Sequence, residues 1–235
     1  MATRIKICGL TSVEDATLAV QAGAWALGMV LWDGSARACS LERAQEIAAT
    51  HRRSAEIVGV FVNATLDDVV RTVDVAQLSM VQLHGDEGPS FCTEVSRRTG
   101  VKVIKAGRVA ARWDIRDMER YRVDLHLLDT RVAGRQGGTG EAFDWNLTKE
   151  RMTRIPLILS GGLDAANVAQ AVELVRPFAV DVASGTESAP GVKDPERITA
   201  FVEAVRAADA AREQIELAAA AAAEQDLPAA AKENA

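Results

Sequence analysis

A lysine and a cysteine stand two residues apart near the start of the sequence, at Lys6 and Cys8. Both belong to a short apolar run, residues 4–8, which is typical of a β-strand, so their side chains share one face while Ile5 and Ile7 share the other. An ammonium group beside a thiol favours the thiolate and lowers the pKa of the thiol from about 8.5. The pair predicts a cysteine base or nucleophile, and a buried, inert Cys8 is the alternative.

Asp129 is a second candidate, because it follows two leucines at the end of another apolar run, residues 124–129. Partial removal of a carboxyl group from water favours its protonated form, which can donate a proton. The alternative is that Asp129 caps the turn after it, a common use of aspartate. Facing each other across one site, Cys8 and Asp129 would form the base and the acid of a proton-transfer reaction.

Two glycine-containing turns, SGG at 160–162 and SGT at 184–186, follow later apolar runs. Glycines let backbone N–H groups approach an anion, and the start of a following helix adds partial positive charge. We therefore expect Gly161, Gly162, Ser184 and Gly185 to hold a phosphate group. A third glycine-rich segment, GGTG at 137–140, is typical of a mobile lid beside Asp129, with ordinary loop flexibility as the alternative.

Three further polar residues lie at or after the ends of predicted strands. Arg37 follows the second strand, and its planar guanidinium suits a carboxylate held by two hydrogen bonds, unless it is simply solvated. His84 ends the fourth strand and either orients a ligand or hydrogen-bonds a backbone carbonyl. Asp181 lies near the end of the eighth strand and is also predicted to contact a ligand.

Eight short β-branched runs alternate with segments of helical periodicity. The strands are predicted at 4–8, 25–31, 56–62, 80–84, 101–106, 124–129, 155–160 and 178–182. The helices are predicted at 12–22, 41–49, 66–74, 89–98, 112–121, 144–152, 165–174 and 195–207. This pattern predicts an α/β protein with a single (β/α)8 TIM barrel, and an open doubly wound sheet is the alternative fold. In such a barrel the polar residues at the strand ends meet at one mouth.

Composition limits the classes of partner. A net charge of −6 argues against non-specific binding to nucleic acid or to anionic membranes, and no apolar run is long enough to span a bilayer. Three cysteines without CxxC spacing suggest reduced thiols rather than disulfides or a zinc site. We expect a cytoplasmic protein with a small-molecule substrate, most simply a monomer, with a homodimer as the alternative.

The C-terminal segment differs from the rest of the chain. Residues 218–223 are all alanine, which favours a helix but buries little surface. The sequence therefore predicts a catalytic barrel at 1–209 and an Ala-rich tail at 210–235. The tail is expected to prolong the last helix or to remain disordered, and an assembly or targeting role is the alternative to a dispensable extension.

Eight motifs in order give this sequence a close resemblance to the phosphoribosylanthranilate isomerases of tryptophan biosynthesis. They are KICGLT at 6–11, LGMVL at 27–31, VGVFVN at 58–63, VQLHG at 81–85, LLDT at 127–130, GGTG at 137–140, LSGGL at 159–163 and VDVASG at 180–185. The resemblance implies a (β/α)8 barrel and an aldose–ketose isomerase that needs neither metal nor organic cofactor. The implied reaction is the Amadori rearrangement of N-(5-phosphoribosyl)anthranilate to 1-(2-carboxyphenylamino)-1-deoxyribulose 5-phosphate.

The resemblance also implies roles for individual residues. Asp129 would protonate the ribose ring oxygen to open the ring to a protonated Schiff base, and Cys8 would then remove the proton from C2. Arg37 would hold the anthranilate carboxylate, and the two glycine turns would hold the phosphate. The loop WDGSAR at 32–37 departs from the family pattern by lacking its lysine and prolines.

Two other functions are open to a barrel of this kind. One is a related phosphosugar isomerase of histidine synthesis, whose chemistry resembles an aspartate pair, whereas strand one here ends in cysteine. The other is a catalytically silent barrel that senses a phosphorylated metabolite, which would need only the phosphate turns. The joint presence of Cys8, Asp129 and Arg37 favours the enzyme of tryptophan synthesis.

Overall fold

The computed structural model describes residues 2–130 and 143–225, with side chains to residue 219. The GGTG segment at 137–140, interpreted above as a lid, lies outside the described residues, as does the end of the tail at 226–235.

Eight parallel strands form a closed barrel in chain order. They are β1 (Arg4–Cys8), β2 (Ala26–Val30), β3 (Glu56–Phe61), β4 (Met80–Leu83), β5 (Lys102–Val109), β6 (Leu125–Thr130), β7 (Leu157–Leu159) and β8 (Ala179–Val182). The barrel closes where β1 pairs in parallel with β8, with Lys6 opposite Asp181. This closure confirms the predicted (β/α)8 barrel and excludes the open doubly wound sheet.

The described α-helices pack outside the barrel. They are α1 (Val13–Ala22), α2 (Leu41–His51), α3 (Leu66–Ala76), α4 (Pro89–Thr99), α5 (Arg112–Asp117), α6 (Val168–Val175) and α7 (Pro195–Gln225). Hydroxyl side chains fix the starts of α1 and α2, since Ser12 accepts from the Asp15 N–H at 3.1 Å and Ser40 accepts from the Arg43 N–H at 3.2 Å.

The connection between β6 and β7 corrects one predicted helix. In place of an α-helix over 144–152, the structure has a short 3₁₀ helix at Trp145–Glu150. The Asp144 side chain accepts from the Asn146 N–H, and the Thr148 hydroxyl donates to the Trp145 carbonyl. Side chains that bind nearby backbone in this way stabilise short turns in place of a continuing α-helix.

The core has two layers that follow the alternation of the strands. Ile5 and Ile7 belong to the large apolar cluster between strands and helices, whereas the barrel interior holds a smaller cluster. That inner cluster is Ala26, Val58, Met80, Ile104, Ala106, Leu125, Leu127, Ile158 and Ala179. Lys6 and Cys8 therefore lie on the inner face of β1, as the alternation predicted.

A short hairpin follows the barrel. After β8, a 3₁₀ turn at Ser184–Thr186 leads into the antiparallel strands β9 (Glu187–Ala189) and β10 (Val192–Lys193). The hairpin is tied to the first βα loop, because the Thr11 hydroxyl donates to the Gly191 carbonyl at 2.6 Å and the Lys193 N–H donates to Asp15 at 3.0 Å. It therefore brings residues after β8 next to residues after β1.

Candidate active site

A pocket whose empty space, including the solvent at its open mouth, is about 870 Å³ lies at the carboxyl ends of the barrel strands. This is where parallel barrels place their active sites. Eight of the nine predicted site residues line the pocket: Cys8, Arg37, His84, Asp129, Gly161, Gly162, Asp181 and Ser184. The structure therefore brings side chains from distant parts of the chain to one cavity.

Cys8 stands at the pocket wall beside a buried ion pair. The ammonium of Lys6, which is fully buried, lies 2.7 Å from Asp181, and Asp181 also accepts from the Ser160 hydroxyl at 3.1 Å. A Cβ added at Gly28 would lie 2.7 Å from the Cys8 sulfur and 3.0 Å from the Lys6 ammonium. Cys8 and Lys6 thus share the small space above Gly28, with a cation next to the sulfur.

The charge state of Cys8 corrects one prediction. Burial raises the pKa of the Cys8 thiol above its ordinary value, and the neighbouring Lys6 offsets only part of that rise. Burial also disfavours the Lys6 ammonium, but Asp181 and Cys8 outweigh it and raise the pKa of Lys6 to about 12. The predicted net lowering of the Cys8 pKa is therefore wrong, although Lys6 acts in the predicted direction.

Asp129 faces the same pocket from β6. Its Oδ1 atom accepts from the N–H of Thr130 at 2.8 Å, and its Oδ2 atom lies 3.2 Å from Nε2 of His84. The Nδ1 atom of His84 lies 2.8 Å from Nε2 of Gln82. Because an amide nitrogen can only donate, His84 accepts at Nδ1 and donates from Nε2 to Asp129. The His84 ring therefore does not bond a backbone carbonyl of the described residues, the second of its two predicted roles, and its contact with a ligand stays a prediction.

Gly161 makes room for Asp129. Its φ of +89° is in the left-handed region, and an added Cβ would collide with the Thr130 hydroxyl and lie 2.9 Å from Oδ1 of Asp129. Any larger residue at 161 would push against the end of β6. Gly161 therefore shapes the surroundings of the candidate acid in addition to forming the predicted turn.

Arg37 already holds a carboxylate, but one within the protein. Its Nε and Nη2 atoms donate to the two oxygens of Glu187, each at 2.8 Å. The Lys193 ammonium lies 3.0 Å from the same carboxylate. Burial opposes ionisation of Glu187, but hydrogen bonds and charge from Arg37 and Lys193 outweigh it and hold its pKa below the ordinary value. No motif in the sequence indicates this contact.

The ninth predicted residue, Gly185, lines an adjoining pocket instead. That pocket shares Gly162 and Ser184 with the main one and also contacts Arg197 at the start of α7. A Cβ at Gly185 would overlap the Leu163 carbonyl oxygen, so the turns after β7 and β8 pack directly on each other. The two turns predicted to hold an anion thus pack as one unit, and Arg197 lies at the edge of the pocket that they line.

The pocket residues absent from the predicted site include Trp32, Gln82 and Arg108. Arg108 was missed because β5 continues to Val109, three residues beyond the predicted end of that strand. Lys105 lies on the opposite face of β5 from Ile104 and Ala106, which belong to the inner cluster. Its ammonium contacts the Gly85 carbonyl at 2.7 Å and Glu87 at 2.9 Å.

None of the described helices is long and apolar enough to cross a membrane. Within the same residues there is also no group of three or more histidine, cysteine or acidic side chains placed to hold a metal ion.

Known proteins resemble this chain over the whole barrel. The family model of N-(5'-phosphoribosyl)anthranilate isomerase matches residues 5–204. The N-(5'-phosphoribosyl)anthranilate isomerase of Geotalea uraniireducens is 48% identical over 200 residues, which cover 85% of this chain and 97% of that protein.

Solved structures agree with the sequence relatives. Monomers of the dimeric phosphoribosylanthranilate isomerase from Thermotoga maritima match with 37% identity and a TM-score of 0.77, over 87% of this chain and 99% of that one. A phosphoribosyl anthranilate isomerase in complex with reduced 1-(o-carboxyphenylamino)-1-deoxyribulose 5-phosphate matches with 38% identity and a TM-score of 0.74, over the same shares.

Proposed function

The chain belongs to the N-(5'-phosphoribosyl)anthranilate isomerases of tryptophan biosynthesis, and from that premise we propose how its residues carry out the reaction. Asp129 is the general acid and Cys8 the general base. The observation that carries this assignment is their placement on one pocket, on β1 and β6, each beside a partner suited to its task. Lys6 favours the thiolate of Cys8, and His84 donates to the carboxylate that Asp129 becomes after giving up its proton.

The reaction begins with a proton from Asp129. Transfer to the ribose ring oxygen breaks its bond to C1, while the lone pair of the anthranilate nitrogen forms a protonated Schiff base. The Cys8 thiolate then removes the proton from C2, and the bonding pair moves into a C1–C2 double bond as the iminium becomes a neutral enolamine. Tautomerisation of the enolamine gives the ketone, so the substrate is isomerised with no external oxidant or reductant.

The two ends of the substrate bind in different places. The adjoining pocket formed by the turns at 160–162 and 184–186 takes the phosphate, supported by its glycine backbone and by Arg197 at its edge. Arg37 takes the anthranilate carboxylate, supported by its position on the pocket wall. Asp181 contacts the ribose region from beside Cys8, where its carboxylate is held by Lys6 and Ser160.

Two substitutions test the catalytic roles. Cys8→Ser and Asp129→Asn should each lower kcat by about 10² to 10⁴, because each removes one proton-transfer group. Both should still bind the reduced product analogue, measured by calorimetry. Cys92→Ser is the matched control, since Cys92 is buried in α4 and lies outside the pocket lining. Near-wild-type turnover in Cys8→Ser or Asp129→Asn would remove the role assigned to that residue.

We also infer that the tail is dispensable for catalysis and that the protein is a cytoplasmic monomer. Helix α7 continues to Gln225. Its Asp209 accepts from the Thr3 hydroxyl at 2.8 Å, and further along the helix Glu216 lies 3.6 Å from Arg176, just after α6, in an exposed ion pair. Truncation after residue 212 should leave kcat/KM unchanged. Size-exclusion chromatography of both forms tests the assembly, and a dimer that dissociates on truncation would give the tail an assembly role.

A further inference from the structure

The guanidinium of Arg37 has one edge fixed by Glu187 and another edge open. Its Nε–Nη2 edge is filled, with Nε 2.8 Å from Oε1 and Nη2 2.8 Å from Oε2 of Glu187. Across residues 2–130 and 143–225, Nη1 has no hydrogen-bond partner, and Arg37 lines the main pocket. A guanidinium can bind a second carboxylate through its Nη1–Nη2 edge while the first is in place.

Glu187 contacts a second cation, Lys193, in addition to Arg37. Its carboxylate is almost fully buried, with 4% of the side chain exposed, and its Oε1 atom lies 3.0 Å from the Lys193 ammonium. Lys193 in turn donates to the Ala183 carbonyl at 3.0 Å, and its backbone is tied to Asp15. The β9–β10 hairpin therefore supplies the carboxylate with a cationic partner besides Arg37.

The loop of Arg37 is ordered by backbone hydrogen bonds, since the Trp32 carbonyl accepts from the Ser35 N–H and the Ser35 carbonyl accepts from the Ala38 N–H, each at 3.1 Å. Its sequence is WDGSAR at 32–37, with a glycine and no proline. Within it, the Ser35 hydroxyl accepts from the Arg37 N–H at 3.0 Å, which orients the backbone but not the guanidinium. The direction of the guanidinium therefore depends on the contact with Glu187.

We propose that Glu187 is a positioning residue that sets the preference of the enzyme for a carboxylated aryl group. By binding one edge of Arg37, it aims the other edge into the pocket, where the anthranilate carboxylate is received. Arg37 and Lys193 carry two formal positive charges and Glu187 carries one negative charge, so the carboxylate of a bound substrate would neutralise the cluster. This inference rests on the proposed role of Arg37 in binding the substrate.

Removal of Glu187 has opposite effects on ligand affinity if Glu187 positions Arg37 and if it acts only through its charge. If Glu187 acted only through its charge, it would repel the substrate carboxylate, and its removal would tighten binding. If it orients Arg37, its removal weakens binding of the carboxylated ligand while leaving a ligand without a carboxylate unaffected. Only the second outcome agrees with the proposal.

The test compares two ligands on each protein. One is the reduced product analogue, and the other is the same compound with phenyl in place of carboxyphenyl. Calorimetry gives the factor by which the carboxylate tightens binding, as the Kd of the phenyl compound divided by that of the carboxyphenyl compound. We expect Glu187→Gln to lower this ratio by about tenfold, the size of a charge-assisted hydrogen bond, and to raise KM far more than it lowers kcat. Because both ligands bind the same preparation, a partly unfolded fraction cancels in the ratio.

Arg37→Ala and the double variant separate the two hypotheses. An unchanged ratio in Arg37→Ala would overturn the role of Arg37 itself. A lowered ratio in Arg37→Ala with a wild-type or higher ratio in Glu187→Gln would overturn only the role of Glu187. In the double variant Arg37→Ala/Glu187→Gln, the ratio should equal that of Arg37→Ala alone. A lower ratio in the double variant would mean that Glu187 acts by another route.

A second variant covers the case in which Glu187→Gln does not fold. Glu187→Asp keeps a negative charge for Lys193 but withdraws the carboxylate by one methylene, so it cannot meet both Nε and Nη2 of Arg37 in the same way. We expect a ratio between those of the wild type and Arg37→Ala. A wild-type ratio in Glu187→Asp would overturn the proposal.

Discussion

The Nε2 atom of His84 lies 3.2 Å from the Oδ2 atom of Asp129, so the end of β4 is joined to the end of β6 across the pocket. Gln82 fixes the orientation of the ring by donating to Nδ1 at 2.8 Å. The N–H of His84 therefore points at the oxygen that would carry negative charge once Asp129 has released its proton. A preorganised donor at such a position stabilises developing charge without moving.

Substitution of His84 is expected to act on turnover. His84→Ala should lower kcat by roughly 10²-fold, because one donor to a developing charge is lost, and should change the Kd of the reduced product analogue much less. Gln82→Leu, which removes the partner of Nδ1 but keeps the ring, should have a smaller effect in the same direction. A loss confined to KM would instead place His84 among groups that only bind substrate. Steady-state kinetics with calorimetry separates these outcomes.

Catalysis by Cys8, the proposed general base, should require a residue without a side chain at position 28. In Gly28→Ala the new Cβ would lie 2.7 Å from the Cys8 sulfur, so Cys8 and Lys6 must shift. We expect kcat to fall by about 10²-fold, as misplacement of a reacting group by about 1 Å can cost. Gly88→Ala is the control, because a Cβ there meets nothing within 4 Å. Equal kcat values in the two variants would contradict this interpretation of the site.

The reactivity of Cys8 should depend on pH in a defined direction. Burial raises the pKa of its thiol, so the thiolate is the minor form at neutral pH and increases as pH rises. Inactivation by iodoacetamide should therefore accelerate by about tenfold per pH unit between about pH 6 and pH 8.5.

A suitable protein for this measurement lacks the other two thiols. Burial raises the pKa of both Cys39 and Cys92 to about 11, so a Cys39→Ser/Cys92→Ser variant should give the same profile as the wild type. The product analogue should protect Cys8 from alkylation. A rate that levels off below about pH 7 would show that the thiolate is already the main form there and that Lys6 outweighs burial.

The ion pair of Lys105 with Glu87 should matter for stability. Both side chains are 3% exposed, and their charged groups lie 2.9 Å apart. Lys105→Met leaves a buried carboxylate without its cation and should lower the free energy of unfolding by about 3 kcal/mol or more. The more exposed pair of Lys102 and Glu56, 4.0 Å apart, is the control, and Lys102→Met should cost about 0.5 kcal/mol or less. Urea denaturation measures both, and similar costs would contradict the prediction.

Local patterns in the sequence were enough to predict the barrel and the centre of its site. The alternation of apolar runs and helical segments predicts eight parallel strands, and the strand period places Lys6 and Cys8 on the inner face of β1. The ends of strands then identify Asp129 and the glycine turns. The barrel, the inner face of β1 and the placement of these residues on one pocket are confirmed, because each inference depends on a few adjacent residues and on one general rule of barrel architecture. The roles of the residues stay predictions.

Contacts set by tertiary structure could not be predicted in this way. The pairing of Arg37 with Glu187 joins residues 150 positions apart through a hairpin that has no strong sequence signal. Arg108 was missed because strand ends are poorly marked, although it shares the inward alternation of Ile104 and Ala106. The Cys8 pKa was misjudged because a sequence shows a neighbouring charge but not the depth of burial, which has the larger effect here.

The close packing of Gly185 on the Leu163 carbonyl means that the turns after β7 and β8 constrain each other's sequence. Because a side-chain carbon at 185 would overlap that oxygen, no other residue is accommodated there unless the turn after β7 takes a new path. Neither turn can vary alone during evolution. We expect related barrels in which residue 185 differs from glycine to carry a compensating change within 161–164, so that the two turns are inherited as one part.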